Sequence, residues 1–178
     1  MLRFVSMPKK SLRFASGFVA GAGGAVWMSS TTYCDEKKVA LNPKEWRSFR
    51  VSEVEQVTST VARVRFDLPS PEHEMGLSVA SCLMARADID GKMVTRPYTP
   101  ISMNEEKGIL ELTVKGYPNG ALSKYIVNLK VGDELEMKGP FKKLDYQPNM
   151  KKEIGMIAGG SGITPMLQVI RVRSLMTL

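Results

Sequence analysis

The segment Arg96-Pro97-Tyr98-Thr99-Pro100 places a cation, a phenol and a hydroxyl on a stretch of chain that two prolines stiffen. Proline fixes its own φ and pushes the preceding residue towards an extended conformation. An arginine fork can clamp a pyrophosphate, and an aromatic ring can stack on a planar ring system. The segment therefore suits a planar anionic cofactor, although an edge strand followed by a proline-stiffened turn would account for the same residues without any ligand.

A second candidate segment runs from Lys115 to Ser123 and contains the turn residues Tyr117-Pro118-Asn119-Gly120. The N–H groups at the start of a helix are unpaired, and the helix dipole favours a phosphate there. The Ser123 hydroxyl could add a further donor. Pro-Asn-Gly is also a common turn, so a short capped helix without a ligand is the alternative interpretation.

A third segment has the sequence GGSGITP at residues 159–165, directly after an apolar run. Such a loop between a strand and a helix can cradle a phosphate or lie against a flavin or nicotinamide ring. Pro165 falls in the first helical turn, where its missing N–H is harmless. The dinucleotide-binding pattern GxGxxG is absent, and a tight strand-to-helix turn without a ligand has the same features.

Composition excludes several other kinds of site. The chain has two cysteines, Cys34 and Cys82, and one histidine, His73, so neither a zinc site nor a histidine-based catalytic triad is expected, and no metal ligand is predicted. Cys82 lies in an apolar run and is interpreted as a buried thiol. No basic stripe with interleaved aromatic residues is present, so we expect no binding of nucleic acid.

The N-terminal residues are predicted to direct the chain to a membrane. Residues 1–13 are basic and free of acids, and they contribute +4 to a total net charge of +7. Residues 14–32 carry no charge and are predicted to form a membrane anchor helix, and residues 33–45 a linker. Composition favours a mitochondrial address. The expected location is a mitochondrial membrane, on the outer-membrane or intermembrane-space side, while a cleaved presequence and a secretory signal are the alternatives.

The folded part is predicted to be mainly β. Six short strands with period-two alternation and one short helix, over residues 46–150, indicate a six-stranded antiparallel barrel. From residue 151 the pattern changes. An apolar strand over residues 153–160 and a helix from residue 161 have the form of the first strand and helix of an incomplete α/β domain over residues 151–178.

Four segments in this order resemble the NADH-cytochrome b5 reductase family, especially its mitochondrial members. They are RPYTPIS, VKGYPNGALSKY, GDELEMKGP and IGMIAGGSGITPMLQVI, and the resemblance runs from about residue 46 to residue 171. It implies a barrel that binds FAD, followed by a domain that binds NADH, here truncated after its first helix. The implied reaction passes a hydride from NADH to FAD and then single electrons to cytochrome b5 or a similar acidic haem protein.

The resemblance also implies roles for individual residues. Thr99 and Lys115 would take part in catalysis, near the flavin and in NADH binding respectively. Ala121 and Leu122 stand where the family usually has a basic residue and a methionine. Because later parts of the family's NADH domain have no counterpart here, a non-catalytic flavin-binding fragment or regulatory isoform is the alternative function. The predicted cofactor-binding residues are Arg96, Pro97, Tyr98, Thr99, Val114, Lys115, Tyr117, Gly120, Ala121, Leu122, Ser123, Gly160, Ser161 and Thr164.

Overall fold

The structure is a computed structural model and describes residues 37–147 and 149–175, with the side chains of residues 173–175 excepted. The predicted basic segment at residues 1–13, the predicted anchor at residues 14–32 and the first part of the linker lie outside these ranges. Neither helix within the ranges has the length and apolar character needed to cross a membrane.

The described residues contain six strands and two α-helices. As predicted, the six strands and one short helix lie within residues 46–150, and a second helix follows residue 161. All strand pairs are antiparallel, and the strand order in the sheet is β4-β3-β6-β1-β2-β5. The elements are β1 Arg47–Thr58, β2 Val61–Asp67, β3 Ser81–Ile89, β4 Lys92–Tyr98, β5 Ile109–Lys115, α1 Ala121–Val127, β6 Glu134–Lys142 and α2 Ile163–Leu175.

The predicted mainly β class is confirmed, but the sheet is open rather than closed into a barrel. Within residues 37–147 and 149–175, β4 and β5 each pair with one strand and so form the two edges. Pro97 in β4 and Pro100 just after it cannot donate to a further ladder, which is a physical reason for β4 to lie at an edge. The candidate segment at residues 96–100 therefore lies on an edge strand and in the loop that follows it.

The core lies on one face of the sheet, where the alternating apolar residues of the strands meet helix α1. Leu110, Leu112 and Val114 of β5 are at most 2% exposed, so the alternating residues of this strand form one buried face. Leu122 and Ile126, four residues apart on α1, are buried against the same core. Since burying such a side chain stabilises the fold by about 1.5–3 kcal/mol, α1 and the turn before it are held firmly in place.

The predicted strand over residues 153–160 is wrong. These residues form no strand within the described ranges, and Ile157 is 97% exposed. A strand requires a hydrogen-bonded neighbour, and no other described segment pairs with this one. The predicted helix that follows is confirmed as α2. It contacts the loop after β4, where Gln168 Nε2 donates to Pro100 O at 3.4 Å and Arg171 Nη1 donates to Ile101 O at 2.5 Å.

Gly108, just before β5, is predicted to tolerate no side chain. Its φ of +78° is in the left-handed region, and a Cβ there would lie 2.9 Å from the Cα of Pro71. Gly91 has a similar φ of +75° but open space around it. We therefore expect Gly91→Ala to lower the free energy of unfolding by about 1 kcal/mol and Gly108→Ala by clearly more, as measured by urea unfolding. Equal effects would show that the contact with Pro71 does not matter.

Candidate functional site

A cavity of about 770 Å³ opens where β4, the turn before α1, the end of β6 and the start of α2 meet. Its volume is within the range of small-molecule and cofactor sites. We call it the cofactor cavity. The predicted site residues that line it are Arg96, Pro97, Tyr98, Thr99, Val114, Lys115, Tyr117, Gly120, Ala121, Leu122, Ser123, Ser161 and Thr164.

Gly160 is the one predicted site residue that does not line the cofactor cavity. It still lies beside it, because a Cβ at Gly160 would be 3.6 Å from the Oη of Tyr117. Its φ of +55° suits glycine and allows the tight turn before α2.

Strand β4 positions the first motif. Tyr98 pairs with Leu83 and Arg96 with Ala85 of β3, so both side chains lie on the same face of the strand. The guanidinium of Arg96 is exposed and donates a hydrogen bond to Thr95 O at 2.8 Å. Tyr98 is half-buried, and burial raises the pKa of its phenol from 10.0 to about 12, an effect that nearby Arg96 opposes. At neutral pH the edge thus offers a cation beside a neutral phenol.

Tyr98 is expected to stay protonated well above the pH at which a free phenol ionises. Because its folded-state pKa is raised, its contribution to stability is complete below pH 10 and is lost as the pH rises through about 12. The difference in absorbance near roughly 295 nm between the wild type and Tyr98→Phe, followed with pH, isolates this group. A midpoint at pH 10 in that difference would contradict the burial argument.

The turn between β5 and α1 positions the second motif through its own hydrogen bonds. The N–H of Gly120 donates to Tyr117 O at 2.9 Å, and the N–H of Tyr117 donates to Ser123 Oγ at 3.4 Å. A Cβ at Gly120 would lie 2.2 Å from Ser123 Oγ, so a larger residue would displace that hydroxyl. The first N–H groups of α1, at Ala121 and Leu122, have no partner within the helix.

Lys115 and Tyr117 lie together at the mouth of the cofactor cavity. Both are exposed, and Lys115 Nζ is 5.5 Å from the centroid of the Tyr117 ring, within cation–π range. The hydroxyl end of Tyr117 approaches the glycine turn before α2, so the ring spans from one loop to the other.

The turn before α2 contributes the third motif. Residues Gly160–Gly162 form a single 3₁₀ turn, in which the N–H of Gly162 donates to Gly159 O at 3.0 Å. Thr164 is buried, and its hydroxyl donates to Ser161 O at 3.1 Å. Pro165 lies in the first turn of α2, as predicted, where no backbone hydrogen bond is lost.

All the charged side chains that line the cofactor cavity are basic. Arg96, Lys115 and Lys143 line it, and no aspartate or glutamate does. No ion pair is found for these three side chains in the part of the chain that the structure describes. Unpaired cations around a concave site attract an anionic ligand, such as one that carries phosphates. The described residues also contain no cluster of three or more acidic, histidine or cysteine side chains that could hold a metal ion.

Six residues that line this cavity were not among the predicted site residues. Asn119, Gly162 and Pro165 lie within the predicted segments, whereas Thr113, Lys143 and Cys82 lie outside them. Thr113 precedes the predicted Val114 on β5, and Lys143 follows the last strand. Cys82 was predicted to be a buried thiol, which the structure confirms at 5% exposure, but its position on the cavity wall was not predicted. Lys143 directly follows β6, which continues beyond Gly139-Pro140 to Lys142, and only the length of that strand could have indicated its position.

Comparison with known proteins points to flavin enzymes. A family model described as the oxidoreductase FAD-binding domain matches residues 48–146. An NADH-cytochrome b5 reductase-like protein of Arabidopsis thaliana is 46% identical, over 90% of this chain and 54% of its own length. NADH-cytochrome b5 reductase 1 of Dictyostelium discoideum is 49% identical, over 74% of this chain and 46% of its own length. The chain spans about half the length of the curated relatives it matches.

A solved structure shows the same fold. The cytochrome b5 reductase domain of Ulva prolifera nitrate reductase superposes with a TM-score of 0.63 and is 31% identical, covering 75% of this chain and 58% of that one. The phthalate dioxygenase reductase, at 22% identity and a TM-score of 0.61 over 75% of this chain and 42% of its own, shares the fold alone.

Proposed function

We propose, because this chain belongs to the oxidoreductase FAD-binding domain family, that it is a flavoprotein that passes electrons from NADH through FAD to cytochrome b5 or a similar acidic haem protein. FAD is the cofactor that the family match supports. NADH and cytochrome b5 enter the proposal through the names of its relatives.

The observation that carries the proposal is the cofactor cavity with three cations and no acid on its wall. A dinucleotide cofactor brings a negatively charged pyrophosphate and a planar ring, and the cavity offers partners for both. The absence of a side chain on Gly120 leaves Ser123 Oγ in its place beside the turn. The residues present therefore fit FAD.

Each part of the cavity would have its own task. Arg96 would clamp the pyrophosphate together with residues 120–123, because its guanidinium has no acidic partner among the described residues. Tyr98, Thr99 and Val114 would orient the ring. Lys115 would help NADH to bind, and Thr164 with Gly160 and Ser161 would shape the place where nicotinamide and flavin meet. When bound, FAD would supply the redox chemistry, which is to accept a hydride and to release electrons one at a time.

Buried walls help this chemistry. Val114, Leu122 and Thr164 are at most 7% exposed, so they exclude water from the base of the cavity. Charges act more strongly on a ligand where water is excluded. Tyr98 keeps its proton at neutral pH and can therefore act as a hydrogen-bond donor.

The proposed location is a mitochondrial membrane, with residues 14–32 as the anchor. Support comes from the sequence: residues 1–13 are basic and without acids, and the next 19 residues carry no charge. The folded residues that follow would then face an aqueous compartment that contains the acceptor protein. Their mildly basic balance suits an acidic partner through electrostatic steering.

A second candidate function is a flavin-binding module without NADH turnover. The observation that favours it is the segment before α2, which has no strand partner among the described residues and leaves Ile157 almost fully exposed. A nicotinamide nucleotide normally binds against a parallel sheet, where paired strands position the loops that hold it.

Two measurements separate these functions. The purified chain is expected to be yellow, with an absorbance band near ~450 nm from oxidised flavin, or to become so when FAD is added. NADH-dependent reduction of ferricyanide and of cytochrome b5 by the same preparation would support the reductase. A yellow preparation without turnover would support the binding module, and a folded, colourless one that gains nothing from FAD would contradict both.

A further inference from the structure

Two adjacent lysines at the end of β6 have different surroundings. Successive residues of a strand point to opposite faces. Lys142 forms an ion pair with Asp145 and lines a separate cavity of about 310 Å³ that Tyr146 also borders. Lys143 lines the cofactor cavity, and no carboxylate within the described ranges contacts its Nζ. Lys142 is thus neutralised locally, whereas the charge of Lys143 is available to a ligand in the cofactor cavity.

The strand register indicates on which side of the cofactor cavity Lys143 lies. The N–H of Lys143 donates to Ala80 O at 3.0 Å, and two residues earlier Phe141 pairs with Cys82. The next residue of β3, Leu83, pairs with Tyr98. Lys143 therefore lies on the side of the cofactor cavity formed by β3, β4 and β6, where Tyr98 and Thr99 also lie, while residues 120–123 belong to the connection after β5.

We infer that the positive charge of Lys143 acts on the flavin ring and favours its reduced form, an inference that rests on the proposed function. When the flavin accepts a hydride from NADH, NAD⁺ leaves, and the ring gains two electrons and one proton and hence one negative charge. A cation close to the ring stabilises that charge, which the oxidised ring lacks. Charge near the ring is one of the means by which a protein tunes a flavin.

The departure at Ala121 makes this contribution more important. The start of α1 carries no basic side chain at residues 121–123, so among the residues lining the cavity the positive charge comes from Arg96, Lys115 and Lys143. Arg96 and Lys115 already have proposed tasks at the pyrophosphate and at NADH. Lys143 is the remaining cation among the lining residues, and its charge can stabilise the negative charge of the reduced ring.

The test compares wild type, Lys143→Ala, Lys143→Arg and the matched control Lys142→Ala, each loaded with FAD. Each protein is equilibrated with a redox dye of known potential, and the ratio of reduced to oxidised flavin is read from the absorbance spectrum, without an activity assay. We expect Lys143→Ala to lower this ratio about fivefold at a fixed dye potential, as for a partly exposed charge pair. The dissociation constant of oxidised FAD should change by less than about twofold, since the oxidised ring carries no charge for Lys143 to balance.

The controls make the result specific. Lys143→Arg should keep the ratio of the wild type and Lys142→Ala should leave it unchanged. The difference between wild type and Lys143→Ala should shrink at about 1 M salt, because an exposed charge is screened. An unchanged ratio in Lys143→Ala, or an equal fall in Lys142→Ala, would overturn the inference. So would a loss of oxidised FAD without a change in ratio, since that outcome assigns Lys143 to the phosphates. A wild type that binds no FAD would instead overturn the proposed function.

Discussion

Replacing Arg96 with alanine is expected to raise the dissociation constant of FAD about ten- to a hundredfold, the usual loss for a hydrogen-bonded charge. Arg96 lines the cofactor cavity and has no acidic partner among the described residues, so its guanidinium is available to the pyrophosphate. Quenching of FAD fluorescence on titration with apoprotein measures the constant directly.

The matched control for this change is Arg63→Ala. Arg63 is also an exposed strand arginine, but it pairs with Glu55 at 3.0 Å and does not line the cofactor cavity. We expect its removal to leave FAD binding unchanged and both apoproteins to unfold at similar urea concentrations, because exposed ion pairs contribute little. Equal FAD binding by Arg96→Ala and the wild type would remove Arg96 from the site.

Truncation of Leu122 to alanine is expected to lower the free energy of unfolding of the apoprotein by about 2–5 kcal/mol. Leu122 is 1% exposed and packs in the core below the cofactor cavity, so its loss leaves a hole that the rigid sheet cannot close. Urea unfolding followed by circular dichroism gives the change, and the slope with urea should stay the same.

Leu144→Ala makes the same chemical change at an exposed position. Leu144 is 50% exposed and lies after β6, so we expect a loss of no more than about 0.5 kcal/mol. A similar loss in both variants would contradict the view that α1 is fixed by its buried face. Added FAD should raise the unfolding midpoint of Leu144→Ala as it does that of the wild type, since binding to the folded state stabilises it.

The strands and the short helix could be predicted from the sequence because one face of each is buried. Val64 and Leu112 lie in strands whose apolar residues alternate with polar ones, and Ile126 lies in a helix whose apolar residues are three or four positions apart. The structure buries all three. The apolar run at residues 153–160 was predicted to be a strand by the same reasoning and is not one. Apolar composition gives a segment the tendency to pair, but pairing depends on a neighbouring strand that local sequence does not reveal.

The candidate site could be predicted where its residues lie in compact motifs, such as Arg96-Pro97-Tyr98-Thr99 and the glycine turns. Thr113, Cys82 and Lys143 were missed because each reaches the cavity through strand register rather than through a motif. Cys82 reaches the wall because β3 runs between β4 and β6. Residues brought in by pairing in this way carry no local mark in the sequence.

The position of β4 at the edge of the sheet has a consequence for the behaviour of the protein in concentrated solution. An open edge can accept a strand from another molecule and so begin aggregation. Here the edge carries the exposed residues Lys92, Arg96 and Pro97, and charges and proline both oppose such addition. Arg96 and Pro97, which line the cofactor cavity, are therefore also expected to oppose fibril growth, so the same short strand serves both ligand binding and solubility.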